Sequence, residues 1–183
     1  MSKIIVISGK SGHGKDEAAK YIAEKLTEQG LKCITLHFAD LVKFFCTQVY
    51  GWNGEKDIKG RTLLQHVGTD TVRACYPDYW AEVVSKFLAA TVADYDVALV
   101  PDARFPNEIE VMDKHNDNVI VLRVKRYNQD GSKYLNPKMT DLQHKHPSET
   151  SLDFSKFDCV IENHSLEDFH HRLDEFLKDI DFS

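Results

Sequence analysis

The sequence predicts an α/β fold, a three-layer arrangement in which a mostly parallel sheet carries helices on both faces. Short apolar runs alternate with helical patterns along the 183 residues, which is the order that builds a parallel sheet from successive strand–helix units. The runs at 4–7 and 97–100 are continuously apolar, as strands buried on both faces are. In such sheets ligands bind beyond the carboxyl ends of the strands, so we expect the functional residues there.

The elements follow one another without an internal repeat or a low-complexity linker. The apolar run 4–7 leads through a glycine-rich turn into a helix that extends to about Glu28. The patterns then predict a strand at 31–38, a helix at 41–50, a loop at 51–60, helices at 61–75 and 79–94, and a strand at 97–100. A turn at 101–107, a helix at 108–115, a strand at 119–124, a polar segment at 127–150, a strand at 157–161 and a helix at 166–180 complete the chain.

Composition excludes several functional classes. The length and the hydrophobic content of 42% suit one domain, 1–183. A formal net charge of −6 argues against a nucleic-acid polymer as partner, since such proteins carry basic surfaces. We expect no membrane segment and no signal peptide, because no apolar run is long enough to cross a bilayer. Four widely spaced cysteines without a paired motif indicate reduced thiols and a cytoplasmic location.

The stretch 9–16 matches the pattern G-x-x-x-x-G-K of a phosphate-binding loop. Its backbone N–H groups are expected to point into one concavity, and the following helix adds the positive end of its dipole. Lys15 would reach the outer phosphates. A glycine-rich turn without a ligand is the alternative, which the preceding strand and the following helix disfavour. The residues expected to bind ATP are Ser11, Gly12, His13, Gly14, Lys15, Asp16 and Glu17.

Two carboxylates are candidate ligands of Mg²⁺. Asp16 stands where this motif usually has Ser or Thr, whose hydroxyl binds the metal. A carboxylate can hold Mg²⁺ directly or through water, but it can also serve only as a capping charge at a helix N-terminus. Asp102 follows the buried strand 97–100, where an acid can orient Mg²⁺ or its waters. Ala103 comes next, where water-splitting ATPases commonly carry a glutamate, and this argues against a motor or switch ATPase.

Arginines beside these elements are candidates for binding phosphate. Arg104 can bind a phosphate through two nitrogens, although a structural ion pair with Asp102 or Glu108 is the alternative. Arg61 and Gln65 lie one helical turn apart and share a face. Gly68 is costly inside a helix unless a close backbone approach requires it. An exposed amphipathic helix would explain the same spacing.

The polar segment at about 127–150 is interpreted as a mobile lid. Basic side chains in or beside it are Arg123, Lys125, Arg126, Lys133, Lys138 and Lys145. A basic segment facing a phosphate loop is what a closing lid requires, whereas an ordinary surface loop is the alternative. His144 and His146 lack further candidate ligands and are interpreted as surface histidines.

An ordered set of short pieces resembles the phage-type deoxynucleoside monophosphate kinases, within the P-loop nucleotide kinase superfamily. The pieces are 9–16 with its Gly-Lys-Asp ending, 38–40 with Lys43, 63–65, 68–70, 79–80, 102–108, 146–149 and 161–163. The resemblance implies transfer of a phosphoryl group from ATP, with Mg²⁺, to a deoxynucleoside monophosphate, giving the diphosphate and ADP. Glu17 stands where that family usually has Thr, so one hydroxyl that could serve the metal is missing.

The resemblance also implies roles for single residues. The acceptor would lie against helices within about 40–94, and the side chains and backbone around it would be Lys43, Arg61, Gln65, Gly68, Trp80, Asp102 and Arg104. Arg126 would stand at the start of the lid segment and help to hold the transferring phosphate. We therefore expect Lys15, Asp102, Arg104 and Arg126 to be catalytic. Tyr76, Tyr79 and Trp80 supply bulk that could exclude a ribose 2′-hydroxyl, although aromatic side chains of helices usually pack the core.

The chemistry needs no dedicated base, because the acceptor is a phosphate oxygen that is already anionic. Two alternatives stay open. One is a kinase of another small phosphorylated acceptor, such as dephospho-coenzyme A or phosphomevalonate. The other is a nucleotide-binding regulatory protein that hydrolyses ATP slowly. The pattern leaves three questions open: which base is preferred, whether the protein forms a homodimer, and whether it is encoded by a phage and located in the cytoplasm of the host.

Overall fold

A computed structural model describes residues 2–182, and its centre is a five-stranded sheet in which every neighbouring pair is parallel. The strands are β1 (Lys3–Ser8), β2 (Cys33–Thr35), β3 (Val97–Ala103), β4 (Val119–Arg126) and β5 (Cys159–Asn163). Their order across the sheet is β2-β3-β1-β4-β5, so β3, β1 and β4 each lie between two other strands. This confirms the predicted α/β fold.

Helices cover both faces of the sheet. They are α1 (Lys15–Glu28), α2 (Asp40–Tyr50), α3 (Ile58–Gln65), α4 (Tyr79–Ala90), α5 (Pro106–His115), α6 (Asp141–His144), α7 (Pro147–Thr150) and α8 (Leu166–Lys178). On one face α1 and α8 bury Ile22 and Phe169 against the sheet. On the other face α2, α4 and α5 bury Val42, Leu88 and Met112. None of the helices within residues 2–182 combines the length and apolar character needed to cross a membrane.

The third strand is longer than the sequence predicts. The apolar run 97–100 continues through Pro101 to Ala103, where a turn was expected, and α5 begins at Pro106 instead of 108. The register between β1 and β3 shifts after Val6, and this irregularity accommodates a proline that has no N–H to donate. Glu108 then accepts hydrogen bonds from the backbone N–H groups of Arg104 and Phe105, which fixes the entry into α5.

The predicted helix 61–75 is replaced by two different segments. Asp57 accepts a hydrogen bond from the Gly60 N–H at 2.7 Å and caps α3, so the predicted loop ends earlier. The chain continues as a π-helix over His66–Arg73. In this π-helix the Gly68 carbonyl accepts a hydrogen bond from Trp80 Nε1 at 3.0 Å. A Cβ at Gly68 would lie 3.4 Å from Val42 Cγ1, at the edge of ordinary van der Waals contact, so packing alone does not require glycine there.

Two strands and the polar segment also differ from the prediction. The predicted strand 31–38 is reduced to β2, and the predicted strand 157–161 is displaced to β5. The segment 127–150 contains a bridge between Tyr127 and Lys133 and the single-turn helices α6 and α7. Thr140 and His146 cap these helices by accepting hydrogen bonds from backbone N–H groups. Helices of one turn carry no periodicity that a sequence pattern can show.

Candidate active site

A cleft of about 520 Å³ lies at the carboxyl ends of the strands, between the glycine-rich loop, α2 to α4 and the segment that includes α7. Most of the predicted site residues line it: Ser11, Gly12, Lys15, Asp16, Lys43, Arg61, Gln65, Gly68, Trp80, Asp102 and Arg104. Residues from widely separated parts of the sequence therefore meet in one cleft, as the parallel sheet requires.

The glycines of the loop are set by close contacts with the chain around them. Gly14 has φ of 106°, and a Cβ there would lie 2.8 Å from Asn163 Nδ2. Asn163 uses that nitrogen to donate a hydrogen bond to the His13 carbonyl at 3.0 Å. A Cβ at Gly9 would lie 2.8 Å from the Val124 carbonyl. The loop is thus held between β1 and the ends of β4 and β5, and a side chain at either glycine would disturb it.

Lys15 lies inside the loop rather than on its surface. Its Nζ donates a hydrogen bond to the Lys10 carbonyl at 3.0 Å, and the side chain is buried. The pKa of Lys15 is lowered to about 7, chiefly by burial and also by the Arg104 guanidinium, while Glu149, Asp16 and Asp102 oppose the shift. The amine is therefore poorly solvated, and its hydrogen bond within residues 2–182 goes to a carbonyl and not to a carboxylate, so a bound anion would favour its charged form.

The two acidic candidates occupy different surroundings. Asp16 lies 3.5 Å from His37 Nε2, and the hydrogen bond from His37 lowers its pKa to about 2. Asp102 accepts hydrogen bonds from the N–H groups of Phe38 at 2.9 Å and Ala39 at 3.0 Å. Each oxygen of Asp102 keeps a second lone pair, and the exposed Asp16 carboxylate lines the same cleft, so these two residues would suit Mg²⁺ held directly or through water. Within residues 2–182 no cluster of three or more His, Cys, Asp or Glu could hold a metal by itself.

Two arginines of the cleft are already bound by the protein. Arg61 Nη1 donates a hydrogen bond to Ser11 Oγ at 3.1 Å, which connects α3 to the loop. Arg104 Nη1 donates to Glu149 Oε1 at 2.8 Å and to the Ser148 carbonyl at 3.3 Å. The ion pairs with Asp102 or Glu108 that were the structural alternative for Arg104 do not form within residues 2–182. The Arg104 guanidinium pairs with Glu149 instead.

Four predicted residues do not line the cleft: His13, Gly14, Glu17 and Arg126. Burial lowers the pKa of His13 to about 4, so its ring is neutral, and it lies between the backbones of Val124 and Tyr134. The Glu17 carboxylate lies 2.8 Å from His170 Nε2 and helps α1 to pack on α8. Arg126 donates a hydrogen bond to the Gly12 carbonyl at 3.1 Å.

Several cleft residues were not singled out from the sequence. Asn136 Nδ2 donates a hydrogen bond to Ser11 Oγ at 3.0 Å, and Glu149 Oε2 accepts one from the Ser11 N–H at 2.8 Å. Of the basic residues assigned to the lid, Lys138 lines the cleft, while Arg123 is buried beneath it. The piece 146–149 was visible in the sequence, but nothing in it indicated which partner Glu149 would find.

A strand, a glycine-rich loop and a helix at the centre of a parallel sheet, with cationic side chains converging on one cleft, define a P-loop kinase.

Solved structures of similar fold cover almost the whole chain. A sugar kinase from Janibacter sp. HTCC2649 has 18% identity, covers 97% of this chain and 95% of its own, and has a TM-score of 0.56. The Mycobacterium tuberculosis APS kinase CysC in complex with AMPPNP and APS has 14% identity, coverage of 97% and 98%, and a TM-score of 0.51. The Deinococcus radiodurans tunicamycin resistance protein has 14% identity, coverage of 97% and 96%, and a TM-score of 0.55.

At these identities the likeness concerns the fold alone, and the family follows from the sequence. The model of deoxynucleotide monophosphate kinase matches residues 27–173. The chain belongs to this family and is a nucleoside monophosphate kinase. The match begins after the glycine-rich loop, so the loop and the family match are separate observations. The sequence matches none of the curated proteins with which it was compared.

Proposed function

We propose that the protein transfers a phosphoryl group from ATP to a deoxynucleoside monophosphate, giving the deoxynucleoside diphosphate and ADP. One observation carries the proposal: a single cleft joins a phosphate-binding loop to helices α2 to α4, and basic side chains from separate elements line it. The family match supports a monophosphate acceptor. A structure of similar fold that contains AMPPNP supports ATP as the donor.

The donor end of the cleft is assigned to the loop. The backbone of 11–17 would bind ATP together with the side chains of that stretch that line the cleft, with Lys15 on the outer phosphates. Asp16 and Asp102 are the residues that would hold Mg²⁺, which when bound neutralises phosphate charge. Glu17 would contribute through its backbone, since its carboxylate is paired with His170.

The acceptor end is assigned to the residues that α2, α3, the π-helix, α4 and β3 bring to the cleft. They are Lys43, Arg61, Gln65, Gly68, Trp80 and Arg104. An acceptor phosphate oxygen is already nucleophilic, so these groups need only position it and reduce repulsion between two anionic phosphates. The segment 127–150 would act as a lid, with Arg126 at its beginning binding the transferring phosphate once the lid moves.

The test is a screen of acceptors by coupled measurement of ADP release at fixed ATP and Mg²⁺. The four common deoxynucleoside monophosphates, their ribose counterparts and dephospho-coenzyme A would be compared with a sample that has no acceptor. We expect turnover that depends on a deoxynucleoside monophosphate. In the Lys15→Ala variant kcat should fall by roughly 10²-fold or more, the scale of losing one electrostatic stabiliser.

Two results would contradict the proposal. ADP release at the same rate without any acceptor would indicate a regulatory ATPase. Turnover with dephospho-coenzyme A alone would indicate a kinase of another acceptor. Near-full turnover by Lys15→Ala, with any acceptor, would show that the loop does not bind the phosphates of ATP through Lys15.

A further inference from the structure

The carboxylate of Glu149 connects the two ends of the cleft. Its Oε2 accepts a hydrogen bond from the Ser11 N–H at 2.8 Å, and its Oε1 accepts one from Arg104 Nη1 at 2.8 Å. The side chain is buried, with 5% of its surface exposed. One acidic group therefore contacts both the phosphate loop and the arginine assigned to the acceptor.

The backbone around Glu149 fixes where this carboxylate lies. His146 caps the single turn of α7 by accepting a hydrogen bond from the Ser148 N–H, and Pro147 sets the first residue of that turn. Beyond α7, Asp153 pairs with Lys10 at 2.8 Å and with Arg123 at 3.3 Å. The segment is thus attached to the loop at Glu149 and again at Asp153, four residues later.

Arg104 keeps one edge unused in this arrangement. Both hydrogen bonds of its guanidinium within residues 2–182 use Nη1. Nη2 and Nε, which form the edge suited to two-point binding of a phosphate, make no hydrogen bond to the described protein. A buried carboxylate that holds one nitrogen restricts where the remaining edge can point.

We infer that Glu149 is a positioning residue for phosphoryl transfer. It holds Arg104 through Nη1 so that the Nε–Nη2 edge faces the acceptor phosphate, and it fixes that arginine relative to Ser11 of the donor loop. The inference rests on the proposed function. A displacement of about 1 Å in a positioning group can cost on the order of 10²-fold in rate, so the effect is measurable.

The central experiment compares Glu149→Gln with Asp153→Asn. Glutamine keeps the shape and an oxygen for the Ser11 N–H but removes the charge that attracts the guanidinium. We expect Glu149→Gln to lower kcat with a deoxynucleoside monophosphate by roughly 10- to 100-fold. The Kd for AMPPNP should stay within about twofold, since the donor contacts are kept. Asp153→Asn removes the same charge from the same segment, where Asp153 pairs with Lys10 and Arg123 instead of Arg104, so it measures the cost of loosening the segment. Its kcat should fall less than that of Glu149→Gln, because Arg104 keeps its carboxylate partner.

A second measurement does not depend on turnover. Arginine side chains can be followed by NMR through their guanidinium N–H groups, and the Nη1 protons of Arg104, which bond Glu149, should exchange with solvent faster in Glu149→Gln than in wild type or Asp153→Asn. In a double-mutant cycle, Arg104→Lys should add little to the loss that Glu149→Gln has already caused.

Three results would overturn the inference. Unchanged kcat and unchanged Arg104 exchange in Glu149→Gln would show that the carboxylate positions nothing. Equal losses in both variants, with a lower Tm, would show only that the segment is anchored. Tighter AMPPNP binding with faster turnover in Glu149→Gln would show that the carboxylate competes with phosphate. If wild type has no acceptor-dependent turnover, the proposed function fails, and the exchange rate of Arg104 still decides whether Glu149 holds it.

Discussion

Two arginine–glutamate pairs lie next to each other at the cleft, and they are built differently. In the first, Arg73 Nη2 binds Glu108 Oε1, while Nη1 donates hydrogen bonds to the Pro77 carbonyl and to Asn107. The guanidinium also lies 4.0 Å from the centre of the Phe105 ring. In the second pair Arg104 binds Glu149 through Nη1 alone.

The difference lies in the donors that each arginine has left. Glu108 also accepts two backbone N–H groups at the start of α5, so the first pair is part of the fold around it. The side chain of Arg73 is 11% exposed, against 24% for Arg104. We therefore expect the first pair to stabilise a turn, and the second, whose arginine keeps a free edge beside the cleft, to prepare a place for a ligand.

The largest effect is expected when the first pair is broken. Arg73→Ala leaves the Glu108 carboxylate buried without its cation, which should lower the free energy of unfolding by about 3–5 kcal/mol. Urea denaturation measures it. The matched control is Lys86→Ala, which breaks an exposed ion pair with Glu82 and should cost at most about 1 kcal/mol.

The loss should depend on pH in a defined direction. Burial raises the pKa of Glu108 to about 7, and Arg73 opposes that shift. Without Arg73 the folded state holds the proton more tightly still, while the unfolded chain releases it near its ordinary value. Stability of Arg73→Ala should therefore fall further as pH rises from 5 to 8. A loss of the same size at both pH values would contradict this account of the pair.

The second pair should respond in activity instead of stability. In Arg104→Lys a point charge replaces a planar fork, so kcat/KM for the acceptor should fall on the order of 10²-fold. Thermal unfolding should change little, because the charge opposite Glu149 is kept. Unchanged kcat and KM would place Arg104 with Arg73 as a structural residue and would end the contrast between the pairs.

A smaller effect is expected on the preference for deoxyribose over ribose in the acceptor. It tests whether a contact to the sugar, besides the phosphate contact of Arg104, determines which acceptor is used. Among the three aromatic residues considered, Trp80 lines the cleft, whereas Tyr76 and Tyr79 are exposed and do not. If Trp80 packs against the sugar, a 2′-hydroxyl would be buried unpaired at a cost of about 1–3 kcal/mol, or roughly tenfold to a hundredfold in kcat/KM. The measurement compares dGMP with GMP and dCMP with CMP. Equal values within each pair would mean that the phosphate contacts, not the sugar, set the preference.

The smallest effect is a change in proton binding at Lys15. Its pKa is about 7 in the free protein, so at pH 8 most molecules carry the neutral amine. Bound phosphates would favour the charged form, and binding of AMPPNP should take up as much as about one proton per site. Calorimetry at pH 8 in two buffers of different ionisation enthalpy measures this number.

The controls connect this prediction with the two arginines. Arg104 lowers the pKa of Lys15, so Arg104→Ala should raise that pKa and reduce the uptake. Lys15→Ala should abolish it. If protons are still taken up in Lys15→Ala, another group binds them, and the protonation of Lys15 is not coupled to AMPPNP binding.

Local patterns were sufficient to predict the α/β class, the approximate positions of the five strands and of most longer helices, and the loop 9–16, because each pattern depends on neighbours in the sequence. Features set by distant contacts were not predictable. The continuation of β3 through Pro101 depends on an irregular register with β1, and the π-helix is stabilised by Trp80 of the next helix. Glu149 bonds a loop that precedes it by 138 residues, and no spacing in the sequence indicates that contact.

The strand order has a consequence for how the chain folds during synthesis. Among the strands β1 leaves the ribosome first, yet it pairs only with β3 and β4, whose residues begin at 97 and 119. At roughly 5–20 residues per second, β1 waits several seconds before its first partner emerges. The loop that follows β1 is held in place by β4 and β5, so it acquires its shape only after Asn163 has been made. The first of the five strands to be synthesised is thus among the last to find its partners, and its apolar run 4–7 stays unpaired in the interval.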